Sequence, residues 1–284
     1  MCATCGCGGD AATMHDLHDH ARDHDHDHRH PHGHSHERDH AHAHSHGGIV
    51  ELEARILAKN DALAQKNRGW FAGREILALN LLGAPGAGKT ALIERTIAEL
   101  GREAPIFVIE GDQASELDSE RIRRAGALAV QLNTGTGCHL DAAMVAAALS
   151  ELRPDPGAVV LIENVGNLVC PALFDLGEYA KVAILSVTEG EDKPLKYPHM
   201  FRAARVMILN KVDLLPYVRF DVGRCIGYAR RVNPAIEVLQ LSAETGAGLE
   251  TWYAWLRHAI DRGGQARDEW ASLSNGGANR AGAT

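Results

Sequence analysis

The chain has little of several features that mark particular classes of protein. Aromatic residues make up 5% of its 284 residues, and no stretch approaches the ~18 consecutive apolar residues of a membrane-spanning helix. No basic segment followed by an apolar run opens the chain, so no secretory signal is expected. Lysine and arginine (29) are fewer than aspartate and glutamate (37), which argues against a surface for nucleic acid. We therefore expect a cytoplasmic protein without a membrane span or a nucleic-acid partner.

Cysteine is also scarce, but its placement is uneven. Three of the six cysteines, Cys2, Cys5 and Cys7, form a C-x-x-C-x-C motif at the start of the chain. This spacing does not resemble a secreted disulfide framework, and clustered cysteines in a reducing compartment more often bind metal or carry out redox chemistry. Three soft thiolates and one nitrogen suit Ni²⁺, and the α-amine of Cys2 could be the fourth donor if Met1 is removed. Structural zinc and a redox pair remain the alternatives.

Histidine, in contrast, is abundant. Fourteen of the seventeen histidines lie between His15 and His46, as in "DHDHDHRH". Such a run offers many pairs of imidazoles without fixed geometry, which suits storage of several nickel ions and their release below about pH 6. A less specific affinity for any divalent ion is the alternative. Residues 1–48 hold almost no aliphatic side chains, so we expect this Cys/His-rich region to be disordered without metal.

The remaining chain has three predicted parts. Residues 49–74 are expected to form a helical linker, because Ile49, Leu52, Ile56, Leu57 and Leu63 are spaced like one apolar helix face. Residues 75–262 are expected to form the folded domain. Residues 263–284 are rich in Gly, Ala, Ser and Asn and are expected to be a disordered tail.

Short apolar runs alternate with helical patterns inside this domain. Candidate strands lie at 75–82, 105–110, 127–133, 158–163, 182–187, 205–210 and 236–241. Candidate helices lie at 89–100, 115–125, 140–152, 221–232 and 248–261. Several strand segments are apolar almost throughout, as expected of strands covered on both faces. We therefore predict an α/β fold with a mostly parallel sheet sandwiched by helices.

A phosphate-binding loop follows the first predicted strand. The run "GAPGAGKT" fits G-x-x-x-x-G-K-[ST] through Gly83, Gly86, Gly88, Lys89 and Thr90. Backbone N–H groups of such a loop surround phosphate oxygens, the lysine reaches the β and γ phosphates, and the hydroxyl binds Mg²⁺. The strand–loop–helix context predicts a P-loop NTPase.

Guanine is the predicted base. Asn210, Lys211 and Asp213 form N-K-x-D, and a carboxylate at the last position can accept from both the ring N–H and the exocyclic amine of guanine, whereas adenine would leave it unpaired. Downstream, "SAETG" places Ser242, Ala243 and Glu244 where GTPases have a second base-contacting loop. Lys211 would pack over the base or brace the P-loop.

Two acids end strands at the same predicted sheet edge, where open parallel sheets bind ligands. Asp112 follows "FVIEG", and Glu163 opens "ENVG", which stands where many GTPases have D-x-x-G with Gly166 near the γ-phosphate. Asp112 could hold Mg²⁺ through water or orient the attacking water. Either acid could instead cap a helix.

A second metal site is predicted inside the domain. Cys138 and His139 are adjacent, and Cys170 follows the predicted γ-phosphate loop. Thiolate and imidazole ligands suit Zn²⁺ or Ni²⁺, and such a site would change with the bound nucleotide if it is attached to phosphate-sensing loops. Cys225 lies in a predicted helix and is expected in the core.

These motifs in this order resemble the HypB family, the nickel-inserting GTPases of the SIMIBI class that mature [NiFe] hydrogenase. The resemblance covers "GDQ", "GCHLD", "ENVGNLVCP", "EGEDKPLKYP", "NKVDLLPY" and "SAETG" as well as the N-terminal Cys and His motifs. It implies a homodimeric GTPase that binds GTP, GDP and Mg²⁺, carries Zn²⁺ or Ni²⁺ at Cys138, His139 and Cys170, and works with a HypA-type chaperone on the hydrogenase large-subunit precursor.

The resemblance leaves several roles open. Lys193 or Lys196 could meet a nucleotide or a partner, or could be simply solvent-exposed. The segment Leu214, Leu215 and Val218 could be a dimer patch or core. A urease-type nickel GTPase is the neighbouring function, but its C-P-H motif is not found in this sequence. A nickel-storage protein with GTP as a structural ligand is the non-enzymatic alternative.

Overall fold

The structure is a computed structural model that describes residues 46–112, 117–135 and 137–261. The chain divides into two compact units between Arg55 and Ile56, and the architecture below is that of the second. The predicted Cys/His-rich region up to residue 45 and the predicted tail 263–284 lie outside the described residues. No helix among the described residues is long and apolar enough to cross a membrane.

Seven parallel strands form one sheet in the order β3-β2-β4-β1-β5-β6-β7. Their bounds are β1 Leu77–Leu82, β2 Ile106–Asp112, β3 Leu128–Asn133, β4 Val159–Glu163, β5 Ala180–Ser186, β6 Ala204–Asn210 and β7 Glu237–Gln240. Every predicted strand is present within two residues at most of its ends. The buried apolar runs were therefore a correct sign of a parallel sheet covered on both faces.

Helices connect the strands. Their bounds are α1 His46–Gly73, α2 Lys89–Leu100, α3 Leu117–Arg124, α4 Ala142–Leu152, α5 Cys170–Leu173, α6 Lys193–Lys196, α7 Pro198–Ala203 and α8 Val222–Val232, with α9 at 249–261 and a 3₁₀ helix at Val212–Tyr217. The Asp141 and Asp221 carboxylates accept from Met144 N and Arg224 N and so fix the starts of α4 and α8. The short helices α5, α6 and α7 were not predicted, because a single turn leaves no periodic pattern.

Alternate side chains of the central strands pack into hydrophobic cores on opposite faces of the sheet. Leu79 and Leu161 pack with Leu92, Ile93 and residues of α9 on one face. On the other face, one cluster joins the sheet to α1 and α4, and another joins it to α7 and α8. This layering fixes the carboxyl ends of the strands relative to one another.

The apolar face predicted for α1 is confirmed only in part. Leu57 and Leu63 are half-buried, Ile56 is 49% exposed, and the side chains of Ile49 and Leu52 lie outside the described residues. The fully buried residues of the helix are Asn60, Ala64, Asn67 and Phe71, which lie three or four residues apart. Two of these four are polar, so hydrophobic periodicity could not find the whole face. From Ile56 onward α1 is part of the second compact unit; that residues 49–74 form a helical linker stays a prediction.

Candidate functional site

The P-loop lies at the carboxyl end of β1 and leads into α2. The Lys89 ammonium is buried and donates to the carbonyls of Gly83 (3.2 Å) and Ala84 (3.4 Å). Gly88 has a φ of +98°, in the left-handed region that favours glycine, and a Cβ there would overlap the Asn210 amide. The glycines thus allow a tight loop whose lysine folds back over it.

The "ENVG" segment lies directly against this loop. A Cβ on Gly166 would come within 2.6 Å of Pro85 Cγ, so only glycine fits there without movement. The Thr90 hydroxyl donates to Glu163 Oε1 over 2.9 Å. The structure thereby joins the predicted Mg²⁺ ligand to the acid that ends β4.

Glu163 is buried, and its second carboxylate oxygen, Oε2, has no hydrogen-bond partner. Burial raises the pKa of this carboxyl from 4.5 to about 7, against the opposing effects of the Lys89 charge and the Thr90 hydrogen bond. An open carboxylate oxygen beside a threonine hydroxyl is a donor set that fits Mg²⁺, which prefers oxygen ligands.

The segments predicted to read the base meet at the other end of the site. The Asn210 amide donates to Ala87 O (2.8 Å) in the P-loop, and its oxygen accepts from Lys211 N (2.8 Å) and Ala243 N (3.0 Å). Asn210 therefore ties the phosphate loop to both base-reading segments. Asp213 Oδ1 is buried and has no hydrogen-bond partner, as expected of a carboxylate whose donors come from guanine.

Arg95 is a site residue that the sequence did not reveal. It lies on α2, one turn beyond the P-loop, and its guanidinium donates to the carbonyls of Ala243 (2.9 Å) and Glu244 (2.5 Å). In the same loop, Ser242 Oγ accepts from Thr245 N (3.1 Å). The "SAETG" loop is thus held from both sides, but an arginine in the middle of a helix carries no motif that would predict this.

Cys138, His139 and Cys170 come together as predicted. Their possible ligand atoms all lie within 4.8 Å of one another, and Cys138 Sγ is 3.6 Å from His139 Nδ1. Sulfur and nitrogen bound to one tetrahedral Zn²⁺ are separated by about 3.6 Å, given the usual bond lengths. The donor set and this spacing fit a soft or borderline divalent ion.

The surroundings of this triad favour its ligand form. Desolvation lowers the pKa of His139, although the Asp141 charge opposes it, and neutral imidazole is the form that binds metal. The Phe174 ring lies 3.9 Å from the His139 ring, centroid to centroid, and limits its orientation. In contrast, Cys225 is fully buried and burial raises its pKa to about 12, which confirms the prediction that it belongs to the core.

Buried amides connect the metal triad to the phosphate side. Asn164, directly after Glu163, accepts from Leu140 N (3.2 Å) and Val165 N (3.0 Å) and donates to Asn80 Oδ1 (3.2 Å). Asn80 donates in turn to Glu178 Oε1 over 3.1 Å. These bonds run from the end of β4 toward the segments that carry the metal ligands, and no sequence motif pointed to them.

Comparison with known proteins identifies the family. The CobW/HypB/UreG nucleotide-binding domain family matches residues 77–240. The hydrogenase maturation factor HypB of Rhizobium leguminosarum is 57% identical over 214 residues, covering 75% of this chain and 72% of that protein. HypB of Escherichia coli K12 is 57% identical over 208 residues, covering 73% and 72%. This chain belongs to the HypB family of hydrogenase maturation factors.

Solved HypB structures share its fold. HypB from Archaeoglobus fulgidus superimposes with a TM-score of 0.68 at 43% identity, over 72% of this chain and all of that one. HypB from Helicobacter pylori, solved in complex with nickel, gives a TM-score of 0.67 at 33% identity, over 72% and 96%. The prediction of a P-loop α/β fold of the HypB type is confirmed.

Other predicted residues of this HypB chain fall in different places. Asp112 is the last residue of β2, but its side chain is outside the described part of the structure, as are Cys2, Cys5 and Cys7. Lys196 is exposed and pairs with Asp192 (2.7 Å), whereas Lys193 lies 3.5 Å from Glu189. The lysines therefore have intramolecular acidic partners.

The segment after the predicted guanine-binding motif contains both half-buried and exposed side chains. Leu214, Leu215 and Val218 are half-buried and pack against the cluster that contains α7 and α8. Tyr217, between them, is 83% exposed. Packing thus accounts for the three aliphatic residues, while the tyrosine is the part of this segment that faces solvent.

Proposed function

We propose that this HypB-family chain hydrolyses GTP to GDP and phosphate and delivers Ni²⁺ during [NiFe] hydrogenase maturation. One observation carries the nucleotide half of the proposal. Within the described residues, the two buried side-chain oxygens that lack a hydrogen-bond partner are Glu163 Oε2 and Asp213 Oδ1. They lie in the segments expected to hold Mg²⁺ and to read guanine, so a bound Mg²⁺–GTP would satisfy both.

Each part of the site has a role in this proposal. The P-loop N–H groups and Lys89 bind the phosphates, and Thr90, with Glu163 and Asp112, holds Mg²⁺, which would neutralise charge on the β and γ phosphates. Asp213 accepts from the guanine N–H groups, and Asn210 and Arg95 keep the base-reading loops in place. Gly166 carries the loop toward the γ-phosphate, and Asp112 or Glu163 orients the attacking water.

The metal half of the proposal involves three separate sites. Cys2, Cys5 and Cys7 form a tight Ni²⁺ site, the run from His15 to His46 stores further nickel, and Cys138, His139 and Cys170 bind Zn²⁺ or Ni²⁺. The nickel complex of the Helicobacter pylori relative supports a nickel-binding role. The relatives' role as hydrogenase maturation factors supports an action on the hydrogenase. As the resemblance implies, we further propose a cytoplasmic homodimer that works with a HypA-type chaperone on the hydrogenase large-subunit precursor.

GTP turnover by the purified full-length chain tests the enzymatic assignment. We expect Lys89→Ala to abolish phosphate release, because the ammonium that would contact the β and γ phosphates is lost. Lys66→Ala, on the exposed face of α1, is the matched control and should hydrolyse GTP like the wild type. If the wild type releases no phosphate with or without metal, the chain is a storage protein that binds GTP at most structurally.

Nickel competition with a strong chelator tests the metal assignment. Replacing Cys2, Cys5 and Cys7 by serine should remove one tightly bound Ni²⁺, and deleting residues 15–46 should remove several weaker ions. If the serine variant binds nickel like the wild type, the N-terminal cysteines are not a nickel site. Delivery would then have to start from the internal triad.

A further inference from the structure

The buried face of helix α1 contains two asparagines beside the apolar residues Ala64 and Phe71. Asn60 and Asn67 are both buried, and a buried amide without hydrogen bonds would cost about 1–3 kcal/mol. Both amides avoid this cost, because they form hydrogen bonds with main-chain groups far away in sequence. Their partners identify what the helix does.

The Asn60 side chain bridges the start of α4 and the segment that follows α5. Its oxygen accepts from Ala142 N over 2.9 Å, and its amide donates to Asp175 O over 2.7 Å. Ala142 lies three residues after His139, and Asp175 lies five residues after Cys170. One side chain therefore joins the two segments that carry the metal-binding triad.

Asn67, two turns further along α1, bridges the same segments. Its amide donates to Ala142 O (2.8 Å) and to Leu176 O (3.0 Å). Both backbone groups of Ala142 are thus held by the helix. Adjacent to this, the Arg68 guanidinium binds both carboxylate oxygens of Asp175 at 2.8 Å.

The segment that contains these hydrogen-bond acceptors is packed closely against α1. Gly177 has a φ of +88°, and a Cβ there would lie 2.5 Å from Ala64 O of α1. On the metal side, Phe174 precedes Asp175 and its ring lies against His139. A shift of the 174–177 segment relative to α1 would therefore be felt at the imidazole.

We propose that α1 is the clasp of the internal metal centre, with Asn60 and Asn67 as positioning residues for Cys138, His139 and Cys170. The three ligands come from two segments of the chain. Without α1, metal binding would have to order both segments, whereas the hydrogen bonds from α1 hold the two segments in place before the metal binds. Loss of a group that hydrogen-bonds a metal ligand directly typically lowers metal affinity roughly 10–100-fold. Asn60 and Asn67 act through the main chain near the ligands, so the lower end of this range is expected. This inference rests on the proposed metal site at the triad.

The test uses the full-length chain with Cys2, Cys5 and Cys7 replaced by serine. In this background, thiolate-to-nickel charge-transfer absorption reports on the internal cysteines, because the histidine run contains no thiolate. Asn60→Ala, Asn67→Ala and the double variant are titrated with Ni²⁺, and Zn²⁺ affinity is measured by chelator competition. Lys66→Ala, on the exposed face of the same helix, is the matched control. GDP affinity is measured in parallel with a fluorescent analogue.

We expect each asparagine variant to weaken metal binding at the triad about tenfold or more, with GDP affinity unchanged. The double variant should lose less than the product of the two effects, because both side chains hold the same segments. Arg68→Ala, which removes a half-exposed ion pair, is the milder variant if the others do not fold, and it should weaken metal binding a few-fold.

Three results would overturn the clasp. In the first, metal affinity of the double variant stays within about twofold of the background; Arg68→Ala takes the place of the double variant if only that one folds. In the second, GDP affinity falls together with metal affinity, which would indicate a general loss of fold. If the background itself shows no thiolate absorption that Cys138→Ser removes, the proposed metal site is wrong, and the clasp fails with it. That failure is recognised before any α1 variant is compared.

Discussion

Replacing Glu163 by glutamine should remove a loss of stability that the nucleotide-free wild type suffers as the pH rises. Burial raises the pKa of the Glu163 carboxyl to about 7, against 4.5 for an ordinary glutamate. Below the ordinary value both the folded and the unfolded state keep the proton. Between the two values the unfolded chain releases the proton while the folded protein retains it, so stability falls as pH rises, and above about 7 the loss is complete.

The size of the effect follows from the shift. Each pKa unit corresponds to about 1.4 kcal/mol, so raising the pKa from 4.5 to about 7 corresponds to about 3.5 kcal/mol. Between about pH 5 and about pH 8 the expected loss is about 2.5 kcal/mol, because part of it has already occurred at the lower pH. Glu163→Gln removes the titration, so the stability difference between variant and wild type should grow by that amount.

Urea unfolding monitored by tryptophan fluorescence, with EDTA and without nucleotide, measures this difference at a series of pH values. Glu250→Gln, at an exposed position of α9, is the matched control for the change from carboxylate to amide. A variant-minus-wild-type difference that varies by less than about 0.5 kcal/mol over the range would show that Glu163 ionises normally, and the reasoning from its burial would be refuted.

Three further predictions concern other parts of the chain. Asp213→Asn should weaken GDP binding and favour xanthosine diphosphate, whose exocyclic oxygen at C2 can accept from the amide; competition binding would show this, and unchanged guanine preference would contradict it. Gly88→Ala should lower nucleotide affinity more than Gly86→Ala, since only at position 88 does a Cβ overlap the Asn210 amide; nucleotide titration compares the two. The wild type should retain more Ni²⁺ in dialysis at about pH 7.5 than at about pH 5.5, and a variant lacking residues 15–46 should lose that difference; equal loading of the wild type would contradict the storage role.

The nucleotide site could be predicted because its chemistry is local in sequence. Each part needs a fixed residue type at a fixed spacing, as in Gly88 and Lys89 or in Asn210 and Asp213. The sheet could be predicted for a related reason, since strands covered on both faces are apolar throughout. The structure then adds the partners of these motifs, such as the bond from Asn210 to Ala87.

The supports of the site could not be predicted, because they act on main-chain groups at a distance. Arg95 binds carbonyls about 150 residues away, and a carbonyl acceptor leaves no trace in the identity of its residue. The same holds for Asn60 and Asn67, whose partners are Ala142, Asp175 and Leu176. Hydrophobic periodicity gave only part of the buried face of α1 for this reason: hydrogen bonds to distant main-chain groups select that face as well as apolar area.

Buried polar groups therefore separate into two kinds in this protein. The amides of Asn67, Asn164 and Asn210 all have partners within the chain, and their bonds fix loops to helices and strands. Glu163 Oε2 and Asp213 Oδ1 have none, and leaving such an acceptor buried costs about 1–3 kcal/mol. That cost is tolerated where a ligand will provide the missing donor or cation. The satisfied amides build the site, and the two unsatisfied oxygens mark where Mg²⁺ and guanine would bind.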